Sequence, residues 1–200
     1  MKDTFFAILK IFGFLLILPL IIAFFMAFEI QVLSLPLKKA VWIFWGAGTY
    51  VTLNLFVYDF KSVYDFGKSL VEKVITFFQP AGYVVPIYSV FLMILYLVAL
   101  VFGKADAFQP YFLFAIAFTI AMHLVLTAHE IYESDTSILK AHYFLTFGAI
   151  FIVSLCIIAL LFTWVISEYS LIAFIKSVVA QTSHLYKYVF KTLFIDSAGK

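Results

Sequence analysis

The sequence predicts an all-α integral membrane protein, with about five transmembrane helices plus two interfacial amphipathic helices. Three observations carry that prediction. First, 66% of the 200 residues are hydrophobic and only 12% are charged, with a mean hydropathy of +1.12. A soluble domain is about half apolar and about a quarter charged, and one aqueous core could not hide the excess, whereas lipid can. Second, the apolar residues gather into long runs of roughly the length that crosses a bilayer. Third, two other stretches carry apolar residues at helical spacing with lysines on the opposite face. No internal repeat, soluble domain or long linker breaks the pattern, so 1–200 reads as a single multi-pass membrane domain.

The first span is expected over about 5–29. Its apolar run, Ile11 to Phe28, is too long for a signal-peptide core and no small-residue cleavage site follows, so an uncleaved helix is expected. Pro19 falls mid-helix and should kink it, and Lys10 can snorkel to the nearer surface. After a short loop holding Pro36 and Lys38–Lys39, the second span covers about 40–58. It is the least apolar, with Gly46, Gly48, Thr49, Thr52 and Asn54 close together. Small and hydroxyl residues let helices approach closely in lipid, so these five are expected to form a helix-packing face; a polar pathway lining or a re-entrant segment is the alternative.

Residues 60–79 should form the first interfacial helix. Val63, Phe66, Leu70, Val74 and Phe77 make its apolar stripe, and Lys61, Asp65, Lys68, Ser69, Glu72 and Lys73 fill the other face. Gln79-Pro80-Ala81-Gly82 breaks it. The third span is expected over 83–103 and the fourth over 111–132, separated by a polar turn at Lys104–Gln109 with Pro110 in the first helical turn. A short turn at Glu133–Ser137 offers Ser134, Asp135 and Ser137 as caps for a long fifth span, about 138–167. Residues 170–194 should form the second interfacial helix, striped by Leu171, Phe174, Val178, Leu185 and Val189.

Five spans put the termini on opposite sides. Lys2, Lys61, Lys68, Lys73 and Lys140 then share the N-terminal side, and Lys38, Lys39, Lys104, Lys176, Lys187, Lys191 and Lys200 the other. The positive-inside rule places the C-terminus in the cytoplasm, in a cell (inner or plasma) membrane. Every basic residue is lysine. Without arginine's planar fork, specific recognition of nucleic acid or phosphate by side chains is not expected. The lone Cys156 lies in an apolar run and reads as a small buried hydrophobe.

Polar chemistry concentrates in His123–His142, which holds three of the four histidines. His129, Glu130 and His142 fall at similar depth on two helices that should pack antiparallel, so His129, Glu130 or Glu133, and His142 are candidate ligands for zinc or iron, although no H-E-x-x-H is present. A b-type haem between His129 and His142 is a further possibility. His123 and Glu130 are candidates for a proton or cation path, because ionisable groups within spans are costly. Against all three stands a plain interfacial reading, in which these side chains meet headgroups and water at a helix end. No cofactor is predicted outright. P-loop, G-x-S-x-G, C-x-x-C and G-x-G-x-x-G patterns are missing. The expected function is a non-enzymatic integral-membrane subunit that anchors or scaffolds a larger complex, with the bilayer and other membrane subunits or itself as partners. A homo-oligomeric transporter or channel comes second and a membrane metalloenzyme third.

Overall fold

The computed structural model describes residues 2–77, 81–103, 105–135 and 141–192. These form eight helices and no strand: α1 (Lys2–Leu33), α2 (Leu37–Phe56), α3 (Lys61–Val74), α4 (Ala81–Val84), α5 (Ile87–Val101), α6 (Ala105–Ser134), α7 (Ala141–Val165) and α8 (Leu171–Phe190). Three segments are long and apolar enough to cross a membrane, Ile8–Leu33, Ala107–Ser134 and His142–Val165, while Ile87–Val101 is apolar but shorter.

Local chemistry sets the helix ends. Pro36 precedes α2 and its carbonyl accepts from the N–H groups of Lys39 and Ala40. Asp59 Oδ1 accepts from the Lys61 N–H at the start of α3, and Ser170 Oγ accepts from the Ala173 N–H at the start of α8. Gly103, at φ 68°, closes α5 in a left-handed conformation that a side chain would disfavour. Asp135 Oδ2 accepts from the Tyr143 N–H, so one of the three predicted caps serves the start of α7; Ser137 lies outside the described residues.

Several predicted boundaries shift. Helix α1 runs through Pro19 and reaches Leu33. The interfacial helix expected to reach residue 79 ends at Val74, and 78–80 lie outside the described residues. The expected third span is two helices, because Pro86 has no N–H to give and pushes Val85 out of helical geometry. The turn expected at 104–109 is helical from Ala105, so Pro110 sits in the second turn of α6 rather than the first. Residues 136–140 and 193–194, parts of the expected last turn, fifth span and second interfacial helix, lie outside the described residues.

The long helices alternate in direction. Helices α1 and α7 run parallel: Phe14 meets Phe144 near one end and Phe28 meets Phe162 near the other. Helices α2 and α6 are also parallel, with Trp42 against Tyr111 and Tyr50 against Phe118. Helix α5 is antiparallel to α6, with Ser89 at Thr119 and Tyr96 at Phe112, and α7 is antiparallel to α6, with Tyr132 at Tyr143 and Gln109 at the Val165 carbonyl. Helix α8 does not lie across the end of the bundle as expected of 170–194. It runs back along α1: Phe24 packs on Phe174, and Tyr186 Oη donates to the Leu16 carbonyl (2.6 Å), next to the turn where Pro19 lacks a donor. The buried core, with Ile116, Ile158, Phe162, Ile166 and Phe174, joins these helices.

Candidate functional site

A polar stripe runs down one face of α6. Thr119, His123, Thr127 and Glu130 recur at steps of four, four and three, which keeps them on one side of a helix, and Glu133 extends the stripe to the helix end. The segment α3–α4 and the start of α5 close over it. Ser89 and Thr119 share a hydroxyl–hydroxyl bond of 2.8 Å. His123 is buried and its Nε2 lies 3.1 Å from the Tyr83 carbonyl, so Nε2 carries the proton and donates. Tyr64 Oη bonds Thr127 Oγ1 at 2.9 Å, in a buried contact. Lys68 Nζ pairs with Glu130 Oε1, which also accepts from Tyr83 Oη at 3.0 Å, and the Lys68 ammonium stands 3.9 Å from the centroid of the Tyr83 ring.

The spacing on α3 matches the spacing on α6. Lys61, Tyr64 and Lys68 follow i, i+3, i+7 and share one face, and they meet Glu133 (3.4 Å), Thr127 and Glu130 respectively. Gly67 lies on the same side, so close to α5 that an added Cβ would sit 2.6 Å from Tyr88 Cε2. Tyr88 Oη donates to the Val63 carbonyl. Helix α3 is thus held across the ends of α5 and α6 by the face of Tyr64, Gly67 and Val71, with Lys61 and Lys68 pairing beside it, while Asp65, Glu72 and Lys73 of the predicted polar face are exposed. Of the predicted apolar stripe, Phe66, Leu70 and Val74, and Phe77 just beyond the helix end, are exposed, while Val63 is half-buried against the cluster of Tyr50 and Tyr64.

Electrostatics favour the closed arrangement. Burial works against the Lys68 ammonium, but its bonds to Glu130 and Tyr83 outweigh that and hold its pKa above the ordinary lysine value. Burial raises the Tyr64 phenol, with the Thr127 hydrogen bond opposing. At the other end of the bundle Lys39 Nζ bridges both oxygens of Glu168 (2.9 and 2.7 Å), which lowers the Glu168 pKa.

The candidate metal ligands are dispersed. His129 Nε2 pairs with Glu133 Oε1 at 3.2 Å on the exposed side of α6, Glu130 turns to Lys68, and His142 Nδ1 meets Thr146 Oγ1 at 3.2 Å on α7. Among the described residues no three His, Cys, Asp or Glu side chains converge on a point that could hold a metal ion. The ion-path candidates His123 and Glu130 do share the stripe. Of the predicted packing face, Gly46 is buried against α6, Thr49 and Asn54 are half-buried, and Gly48 and Thr52 face outward, with Thr52 Oγ1 donating to the Gly48 carbonyl. Sequence reasoning passed over Lys68, Tyr64, Tyr83, Thr127, Thr119 and Ser89. The matching i, i+7 lysines of 60–79 and the acids of 130–133 were the signal that could have found the first of these.

Compared with known proteins, the chain matches no family model, no curated protein and no solved structure.

Proposed function

We propose that the chain is a non-enzymatic integral-membrane subunit that binds a neighbouring membrane helix along the outer face of α2. One observation carries this reading. Phe44, Trp45, Gly48, Thr49, Thr52 and Leu53 line an open groove of about 460 Å³ that no helix among the described residues fills. Gly46, two residues away, is taken up by the internal contact with α6. Small residues on a lipid-facing side allow a partner backbone to come close, where packing and hydrogen bonding replace the missing hydrophobic drive. The polar stripe supports the same reading, since its charges pair within the chain. Beyond Thr119, α6 presents buried Ile116 and Leu113, which weighs against a conducting path.

The experiment is a gentle pull-down of the tagged chain from native membranes with mass spectrometry of what is retained. A stoichiometric membrane partner that is lost in Gly48→Leu supports the subunit. Recovery of the chain alone, as monomer or homo-oligomer, overturns it in favour of a transporter or channel.

The membrane arrangement follows from helix direction. Helices α1, α2, α5, α6, α7 and α8 alternate, so we read six crossings where the apolar runs implied five, with α3 lying in the interface and its exposed apolar stripe toward lipid. Helix α5 is only about 22 Å long at the usual rise, so α4 helps complete its crossing. With α8 returning, Lys2, Lys61, Lys68, Lys73, Lys187 and Lys191 share one end, and Lys38, Lys39 and Lys176 the other. The positive-inside rule then puts both termini in the cytoplasm. Fluorescent-protein and alkaline-phosphatase fusions should report the same side for each terminus; opposite sides would restore five crossings.

A further inference from the structure

At the end of the bundle away from the polar stripe, residues of α2 and α6 line a groove of about 830 Å³. Its walls are Val41, Trp45, Leu113 and Phe114, and Lys38 and Lys39 stand at its mouth. We propose that this groove binds one anionic glycerophospholipid from the surrounding bilayer, with the headgroup phosphate at Lys38 and an acyl chain along Trp45 and Phe114. The proposal rests on the membrane reading above but not on the partner.

Charge complementarity argues for the occupant. Lys39 is neutralised by Glu168, whose two oxygens it bridges, so the lysine left to face an anion is Lys38. Lys38 is exposed and makes no ion pair among the described residues. The dimensions agree with one leaflet. From Leu37 to Trp45 the groove follows α2 for about 12 Å, close to half the roughly 30 Å hydrocarbon core. Trp42 packs on Tyr111 beside the mouth, which places amphipathic rings where headgroups meet acyl chains, and Trp45, 65% exposed, lies deeper on the apolar wall. A phosphate beside a lysine, with aromatic and aliphatic walls below, fits a phospholipid better than a soluble anion, which would leave the apolar walls unused. It also fits better than a neutral lipid, which would leave Lys38 unmatched.

The full chain is reconstituted in nanodiscs of equal parts dioleoyl-phosphatidylglycerol and dioleoyl-phosphatidylcholine, then released for native mass spectrometry of retained lipid. One phosphatidylglycerol should be retained with about fivefold preference over phosphatidylcholine, the expected effect of one lysine at an anionic headgroup. Lys38→Gln should remove the preference, Lys38→Arg should keep it, and Lys187→Gln, at the other end, should leave it unchanged. Equal retention of the two lipids by the wild type, or an undiminished preference in Lys38→Gln, overturns the site. A chain recovered in aqueous extracts without detergent overturns both this proposal and the membrane reading.

Discussion

Gly46→Leu is expected to destabilise the protein by about 3 kcal/mol, the upper end of what overpacking costs, while Gly48→Leu leaves stability within about 0.5 kcal/mol of wild type. The two glycines are neighbours on α2 but meet different surroundings. A Cβ on Gly46 would overlap the carbonyl oxygen of Phe114 and lie 3.1 Å from Ala117 Cβ. The obstacle is backbone in the middle of α6, which cannot rotate aside as a side chain can, so α2 and α6 must separate. That separation strips partners from Ile43 and Tyr50, both buried on α2. A Cβ on Gly48 meets nothing within 4 Å. Thermal unfolding of the detergent-solubilised variants separates the outcomes. Equal transition temperatures for Gly46→Leu and wild type would show that α2 does not pack on α6 through this glycine.

The second large effect belongs to Lys68. Lys68→Met should cost about 2 kcal/mol, because it leaves the Glu130 carboxylate part-buried without its cation. The side chains of the pair are 14% and 29% exposed, so the figure sits below the range for fully buried pairs. Glu130 Oε2 is buried and has no hydrogen-bond partner among the described residues, so water gives little compensation. Lys68→Met combined with Glu130→Gln should return to within about 1 kcal/mol of wild type, since a neutral amide still accepts from Tyr83. The pH dependence has a definite sign. Lys68 and Tyr64 both have folded pKa values above their unfolded ones. Their contribution is therefore fully present below about pH 10, the unfolded range for lysine and tyrosine, and is lost as pH rises through the folded values. Thermal unfolding between neutral and alkaline pH should show wild type losing more stability above about pH 10 than Lys68→Met. Parallel slopes would mean that the pair does not hold α3 in place.

The ion pairs of α3 show how far sequence reasoning reaches. A helix near 60–79 with lysines on one face was legible, because apolar spacing is a local property. That Lys68 turns inward, while Phe66, Leu70, Val74 and Phe77 turn outward, was not. The direction depends on carboxylates more than sixty residues away. The His/Glu side chains turn to separate partners for a related reason. Equal depth along two helices says nothing about rotation about their axes, and rotation sends Glu130 to α3, His129 to Glu133 and His142 to Thr146.

Composition and run length by themselves determined an all-helical chain with apolar segments long enough to cross a membrane, because hydropathy sums over neighbours in sequence. They located the polar residues of α6 and the small residues of α2 for the same reason. Only the tertiary structure decided that Gly46 faces in while Gly48 faces out, and that α3 seals the polar stripe. It also decided that α8 runs back along α1 instead of lying across the bundle's end. The apolar stripe of α8 fits a headgroup layer or a neighbouring helix equally well. Contacts made by residues far apart in the chain, Phe24 with Phe174 and Leu16 with Tyr186, settle which surface it meets.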